Sequence, residues 1–286
     1  MDTQLKVIMA EHFRLDGGAC FGVVPKSIWK KLWEPDDNNM LPVCCRLLLV
    51  KDGERTILID TGIGDKQGGK FREYLYLFGD DSLEKSMAAA SCTFEEVTDV
   101  LLTHLHYDHC GGGVKYNSDR TGFELTFPNA AYWCSRAQWE WGTQPNVREG
   151  ASYFRENLLP MMESGKLKLI EKAGAFSDNI ELLMVNGHTD GQLVPLIRHR
   201  GRIIAYMGDF IPSPAHVPLP YVPAFDTRPL LSMKEKEEYL NRAVKENHIL
   251  FFEHDHNWEA CSLCVTDKGV RADVNGSLQE IIHLKV

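Results

Sequence analysis

No stretch of this chain keeps apolar side chains for the roughly 20 residues that a membrane-crossing helix requires. Basic residues are also short: 31 Lys and Arg face 40 Asp and Glu, for a net charge of −9 and a pI of about 5.7. Phosphate backbones are held by basic surfaces, so neither nucleic acid nor a membrane is expected as a partner. The opening MDTQLKVIMAEHF lacks the long apolar core and small-residue cleavage site of a secretory signal, and a cytoplasmic protein is expected. G-x-G-x-x-G and Walker patterns are absent, which removes the support for a nucleotide-binding α/β fold. Only one C-x-x-C occurs, Cys261 to Cys264; a zinc ribbon needs two, so this pair reads as ordinary strand cysteines. Asp-Thr-Gly also occurs once, at 60–62, where an aspartic protease needs two facing carboxylates. Repeats and low-complexity tracts are missing. What remains is an ordinary globular composition, 44% hydrophobic and 25% charged, expected to form one domain over 1–286, with a homodimer left open.

Strand-like segments are plain. VCCRLLLV (43–50) and RTILID (55–60) flank a KDGE hairpin signal. DVLLTH (99–104), AAYWCS (130–135), IELLMVN (180–186), LVPLIRH (193–199), RIIAYMGD (202–209) and HILFFEHD (248–255) follow, with a second hairpin at RGR (200–202). Between them SLEKSMAAA (82–90) predicts a helix. Thr93–Glu96 and Ser232–Glu235 have the capping-box spacing, the latter opening a helix over 232–247 with Tyr239, Leu240, Ala243 and Val244 on one face. Residues 212–229 hold six prolines, and so predict a stiff extended loop.

Histidine is scarce, 11 in all, yet THLHYDHCGG (103–112) contains three of them. His104, His106, Asp108 and His109 stand where an apolar strand meets a glycine turn, at metal-ligand spacing. If the segment stays extended, 104, 106 and 108 share one side and His109 points elsewhere. Three further strand ends offer ligands: His188 in VNGHTDGQ, Asp209 in YMGDF, and His254 or His256 in FFEHDHN.

The order H-x-H-x-D-H, G-H-T, G-D and a late His, with LIDTG early, resembles the metallo-β-lactamase-fold hydrolases. FRLDGGACFGVVPKSIW (13–29), CCRLLLVKDGERTILIDTGIGDK and FFEHD are similar to the branch of N-acyl-homoserine lactonases and methyl parathion hydrolase. The resemblance implies an α/β (α+β) fold, a four-layer αββα sandwich, holding two divalent ions, zinc first, with manganese, cobalt or iron as alternatives. His104, His106 and His188 would bind one ion, Asp108, His109 and His254 the other, and Asp209 both. Asp60 would orient a ligand from outside. The implied activity is hydrolysis of a small-molecule ester or lactone, acyl-homoserine lactones above all (quorum quenching), by a hydroxide shared between the metals. Asp108 would relay the proton. Alternatives of the same fold are an organophosphate triesterase, an arylesterase, a glyoxalase II-like thioesterase, or a mono-iron sulfur dioxygenase. Antibiotic β-lactamases usually have cysteine where Asp209 stands.

Two departures from the pattern stand out. Many of these lactonases have a tyrosine three residues after the bridging aspartate; here Pro212 is found, leaving His216 or Tyr221 as substitutes. Asp190 replaces the proline of GHTPG. His216 is thus a catalytic candidate beside Asp108, and Phe210, Tyr221, Phe225, Trp29, Trp33 and residues 71–78 are candidate walls for an acyl chain.

Overall fold

The computed structural model describes residues 3–284. In chain order the strands are Gln4–Asp16 (β1), Met40–Asp52 (β2), Arg55–Ile59 (β3), Asp99–Leu101 (β4), Val114–Tyr116 (β5), Phe123–Leu125 (β6), Ala131–Ser135 (β7) and Leu167–Ile170 (β8). Gly174–Ala175 (β9), Ile180–Val185 (β10), Gln192–His199 (β11), Arg202–Tyr206 (β12), Ile249–Phe251 (β13), Ala260–Thr266 (β14) and Gly269–Gly276 (β15) complete the set. They form a six-stranded sheet, β1-β2-β3-β4-β7-β8, a seven-stranded sheet, β15-β14-β13-β12-β11-β10-β9, and the small β5–β6 hairpin.

Strand alternation assigns the layers. In β2, Leu48 and Val50 join a core that both sheets share, while Leu47 and Leu49 face the opposite way. In β13, Ile249 and Phe251 enter the shared core, while Leu250 turns to the outer face with Tyr239, Leu240 and Ala243 of the helix Pro229–Lys245. Leu83 and Met87 of the helix Leu83–Ala89 cover the outer face of the first sheet. Apolar residues on both faces of a strand require a cover on both sides, and the result is the expected helix–sheet–sheet–helix sandwich. No helix among the described residues is long and apolar enough to cross a membrane.

Several local expectations change. The strands stop earlier than their apolar runs: β4 ends at Leu101, not 104, and β13 at Phe251, not 255, because the segments beyond turn into loops that carry side chains inward. Ser232 and Glu235 do not cap the long helix, which starts three residues earlier with Pro229 in its first turn. Glu235 instead accepts the N–H groups of Asn186 and Gly187 at the end of β10. The Pro-rich segment is not extended; it folds tightly, with a 3₁₀ turn at Pro214–His216. Lys236, buried in the helix, donates to the carbonyls of His216, Pro218 and Tyr221 and fastens that segment down.

Candidate metal centre

Four strand ends meet at one edge of the sandwich. β10 and β12 are both antiparallel to β11, and β13 is parallel to β12, so β10, β12 and β13 all run the same way. Their C-terminal ends deliver His188, Asp209 and His254. β4, in the other sheet, leads into His104 and His106. The chain is extended only as far as His106 and then makes one helical turn, Tyr107–Cys110. The expected alternation of 104, 106 and 108 is therefore wrong: the turn sends Asp108 together with His109. Donor atoms of His104, His106, His188 and Asp209 cluster within 4.8 Å of one another, and those of Asp108, His109 and His254 do the same. His256 is not in either group; its ring lies 5.1 Å from that of His12.

Outer partners decide which nitrogen each imidazole turns inward. His188 Nδ1 is 2.9 Å from Asp226, and a carboxylate accepts, so Nδ1 carries the proton. His254 Nδ1 donates to the Cys44 carbonyl at 2.9 Å. His109 Nδ1 faces Asp60 at 3.1 Å and Glu253 at 3.0 Å. The Thr103 hydroxyl donates to Asp60 at 2.7 Å, leaving its oxygen to accept from His104 Nδ1 at 3.1 Å. His106 reverses the pattern: its Nε2 is 3.4 Å from Glu149, so Nδ1 is bare. Five lone pairs then converge. His106 Nδ1 lies 3.1 Å from both His104 Nε2 and His188 Nε2, and His109 Nε2 lies 3.1 Å from His254 Nε2.

Lone pairs do not hydrogen-bond to one another, so the arrangement calls for a cation. Ligands about 2.0–2.1 Å from a tetrahedral zinc would be about 3.3 Å apart, close to these separations. Asp209 divides between the groups: Oδ1 is 2.8 Å from His254 Nε2, and Oδ2 is 3.1 Å from His188 Nε2. Its Oδ1 is buried without a hydrogen bond. Burial alone would lower the His188 and His254 pKa values; with no cation bound the Asp209 charge outweighs it and lifts them to about 10 and about 9, so a proton takes the place that a metal would hold at each Nε2. The residues thus fit two divalent ions, with carboxylate-backed histidines of the kind that orient metal ligands.

Of the outer carboxylates, Asp60 matches its expected place; Asp226, Glu149 and Glu253 were not singled out from the sequence. Burial pushes the Glu253 carboxyl up to about 8. The Glu149 carboxyl is raised by burial but lowered more by hydrogen bonding with His106 and Trp141, ending at about 2.

A cavity of about 390 Å³ opens over the cluster, within the range of small-molecule sites. His106, Asp108, His188, Asp209 and His254 form its polar end, and Leu15, Trp33, Val43, Pro212, Pro223 and Phe225 are among its apolar lining. Trp29, Phe210 and Tyr221 do not line it. Trp29 stacks behind on Phe21, Phe210 packs on Tyr239, and Tyr221 lies edge-on to Phe21. Tyr107 is the one tyrosine on the cavity wall among the described residues.

His216 lines the cavity, but the proton-donor role expected of it is corrected by its bonds. Nε2 donates to the Cys20 carbonyl at 2.9 Å and Nδ1 accepts from the Ser213 hydroxyl at 2.8 Å, so neither nitrogen is left for substrate. Burial lowers its pKa to about 4. From pH 6.5 down to about 4 the unfolded chain binds a proton that the folded chain refuses, so this contribution to stability is lost as pH falls. The loss amounts to roughly 3 kcal/mol at most. Urea midpoints at pH 7.5 and 4.5 should fall further for the native protein than for His216→Gln. An equal fall in both would remove His216 from the acid response.

The family model of the metallo-β-lactamase superfamily matches residues 46–116. Two proteins named N-acyl homoserine lactonase, from Bacillus sp. and Bacillus cereus, are each 26% identical over 229 residues, covering 75% of this chain and 82% of theirs. A solved structure described as "a probable metal-dependent hydrolase from Staphylococcus aureus" is 26% identical with a TM-score of 0.87, covering 100% of this chain and 99% of that one. A dizinc quorum-quenching lactonase, solved with a product, is 21% identical with a TM-score of 0.74, covering 95% and 94%. This chain has the metallo-β-lactamase fold, and its relatives include N-acyl homoserine lactonases.

Proposed function

We propose that this chain, with its metallo-β-lactamase fold and lactonase relatives, is a dinuclear-metal-dependent hydrolase that opens lactone esters, N-acyl-homoserine lactones being the first to test. The observation that carries this reading is Asp209, whose two oxygens face two separate histidine groups at the polar end of an otherwise largely apolar cavity. His104, His106 and His188 would hold one ion, and Asp108, His109 and His254 the other. Zinc is the expected metal. Two such ions, when bound, would bring the pKa of water towards neutrality and draw electron density from an ester carbonyl.

The chain's own groups do the rest. Asp108, on the cavity wall, takes the proton of the attacking water and returns it to the leaving oxygen. Water's oxygen bonds to the carbonyl carbon, the ring C–O bond breaks, and a hydroxyl and a carboxylate result, with one proton released. Trp33, Val43 and Phe225 give an acyl chain an apolar surface. Each methylene buried there should improve binding by up to ~0.8 kcal/mol.

A pH-indicator assay reads the released proton. Native protein should open long-chain acyl-homoserine lactones with a lower KM than short ones, and Asp108→Asn should be slower by about 10²- to 10³-fold. An aryl phosphotriester run alongside separates the neighbouring activity: turnover of it without lactone opening would place the enzyme with the organophosphate hydrolases. Turnover of neither, by protein carrying two metals, would sink the lactonase reading.

A further inference from the structure

We infer that Arg148 is a specificity-determining residue that selects substrates with an oxygen acceptor, an amide carbonyl or a carboxylate, on the acyl side of the scissile ester. This rests on the ester-hydrolase reading of the same cavity. Arg148 is the only Lys or Arg lining that cavity among the described residues. The cavity it shares also presents Asp108, Glu149 and Asp209, four histidines and Ser152, together with apolar Pro223, Ala224 and Phe225. No carboxylate of the described residues forms an ion pair with it; its guanidinium donates only to the Ala224 carbonyl. Of five N–H donors, one is therefore used.

The backbone of Arg148 is held firmly. Asn146 Oδ1 accepts from the N–H of Arg148 at 2.8 Å and of Glu149 at 3.2 Å. Glu149, 4% exposed, is fixed by Trp141 Nε1 at 2.6 Å and Asn146 Nδ2 at 2.7 Å, and its free oxygen faces His106. The backbone at Arg148 therefore stands at a set place relative to the reacting end, one residue from the partner of a metal-facing histidine, while the exposed side chain, held by Ala224 alone, brings the guanidinium to the cavity wall. A substrate with its carbonyl at the His/Asp end runs along an apolar wall and meets one strong donor, this guanidinium. A charged donor and an oxygen acceptor form the stronger class of hydrogen bond.

The test compares native protein, Arg148→Met and Arg148→Lys on three lactones of equal ring and chain length. One has a plain alkyl tail, one an amide-linked acyl tail, and one a tail ending in carboxylate. Arg148→Met should raise KM for an acceptor-bearing lactone about tenfold more than for the alkyl lactone, with little change in the kcat ratios. Arg148→Lys should recover much of the carboxylate preference. An effect confined to the amide identifies a neutral acceptor, one confined to the carboxylate an anion, and either supports the inference. Equal loss on all three lactones, as from a purely structural clasp to Ala224, overturns it, as does no loss on any. If native protein opens no lactone, the proposed function falls, and calorimetry on the metal-loaded protein decides Arg148 alone. Native protein should then prefer dicarboxylates, succinate to suberate, over monocarboxylates of equal length, and Arg148→Met should bind both alike. Equal binding by native protein would end the inference.

Discussion

Asp209→Ala is expected to lose metal and at least about a thousandfold in turnover. Its carboxylate is buried, its two oxygens lie 2.8 Å from His254 and 3.1 Å from His188, and among the described residues no other side chain faces both histidine groups in this way. Removing it leaves the two groups without a shared anion, so each ion of the proposed centre would be held by fewer ligands and less charge. A loss of several kcal/mol in transition-state stabilisation corresponds to that factor, since each 1.4 kcal/mol is tenfold. Elemental analysis should fall from two ions per chain towards one or none, while circular dichroism keeps the native sheet content. Asp226→Asn makes the useful comparison. It leaves Asp209 in place and disturbs the outer bonds to His188 and Ser232, for which a 10- to 100-fold loss in metal affinity or activity is expected. A fully active Asp209→Ala protein with two ions would rule out the shared-carboxylate centre.

The second large effect belongs to a glycine. Gly112→Ala should destabilise the fold by about 3 kcal/mol, or prevent its accumulation. A Cβ at Gly112 would lie 2.1 Å from the Thr61 carbonyl oxygen, and one at Gly111 2.0 Å from that of Ile63. Both obstacles are backbone, which cannot swing aside. The contact is bound up with the site, because Gly112 N donates to the Gly62 carbonyl and Thr61 N to the His109 carbonyl. The loop that carries Asp60, at φ +58°, is thereby held against the histidine turn. Gly113→Ala is the control: its Cβ would meet Tyr132 and Met161 side chains at 3.1 and 3.3 Å, which can shift. Urea midpoints should rank native, Gly113→Ala, Gly112→Ala in falling order. Equal midpoints for the two variants would mean that the backbone contact carries no weight.

The sequence by itself marked the apolar strands of the sandwich, whose layers the family resemblance implied, and picked out the histidines and aspartates that meet at its edge. Strands such as β2, apolar on both faces, must be covered twice, and that is written in consecutive residues. The histidine cluster, the G-H-T and G-D turns and the histidine after FFE are likewise local patterns, each at the end of an apolar strand. The outer shell was decided only in three dimensions. Asp226 stands 38 positions from His188, and Glu149 is 43 from His106, in stretches with no periodicity to mark them. Ser232 and Glu235 show why local reading fails there. Their spacing is that of a helix cap, but Pro229 starts the helix earlier, and the two side chains are drawn to Asp226 and to the end of β10. His216 fails for the same reason. A histidine in a proline-rich loop beside the site is chemically able to donate a proton, yet its two nitrogens are taken by Ser213 and by a carbonyl 196 residues away. Residue type and spacing specify which groups can ligate. Which nitrogen is bare, and which donor is free, depends on partners that only the packed chain brings within hydrogen-bonding distance.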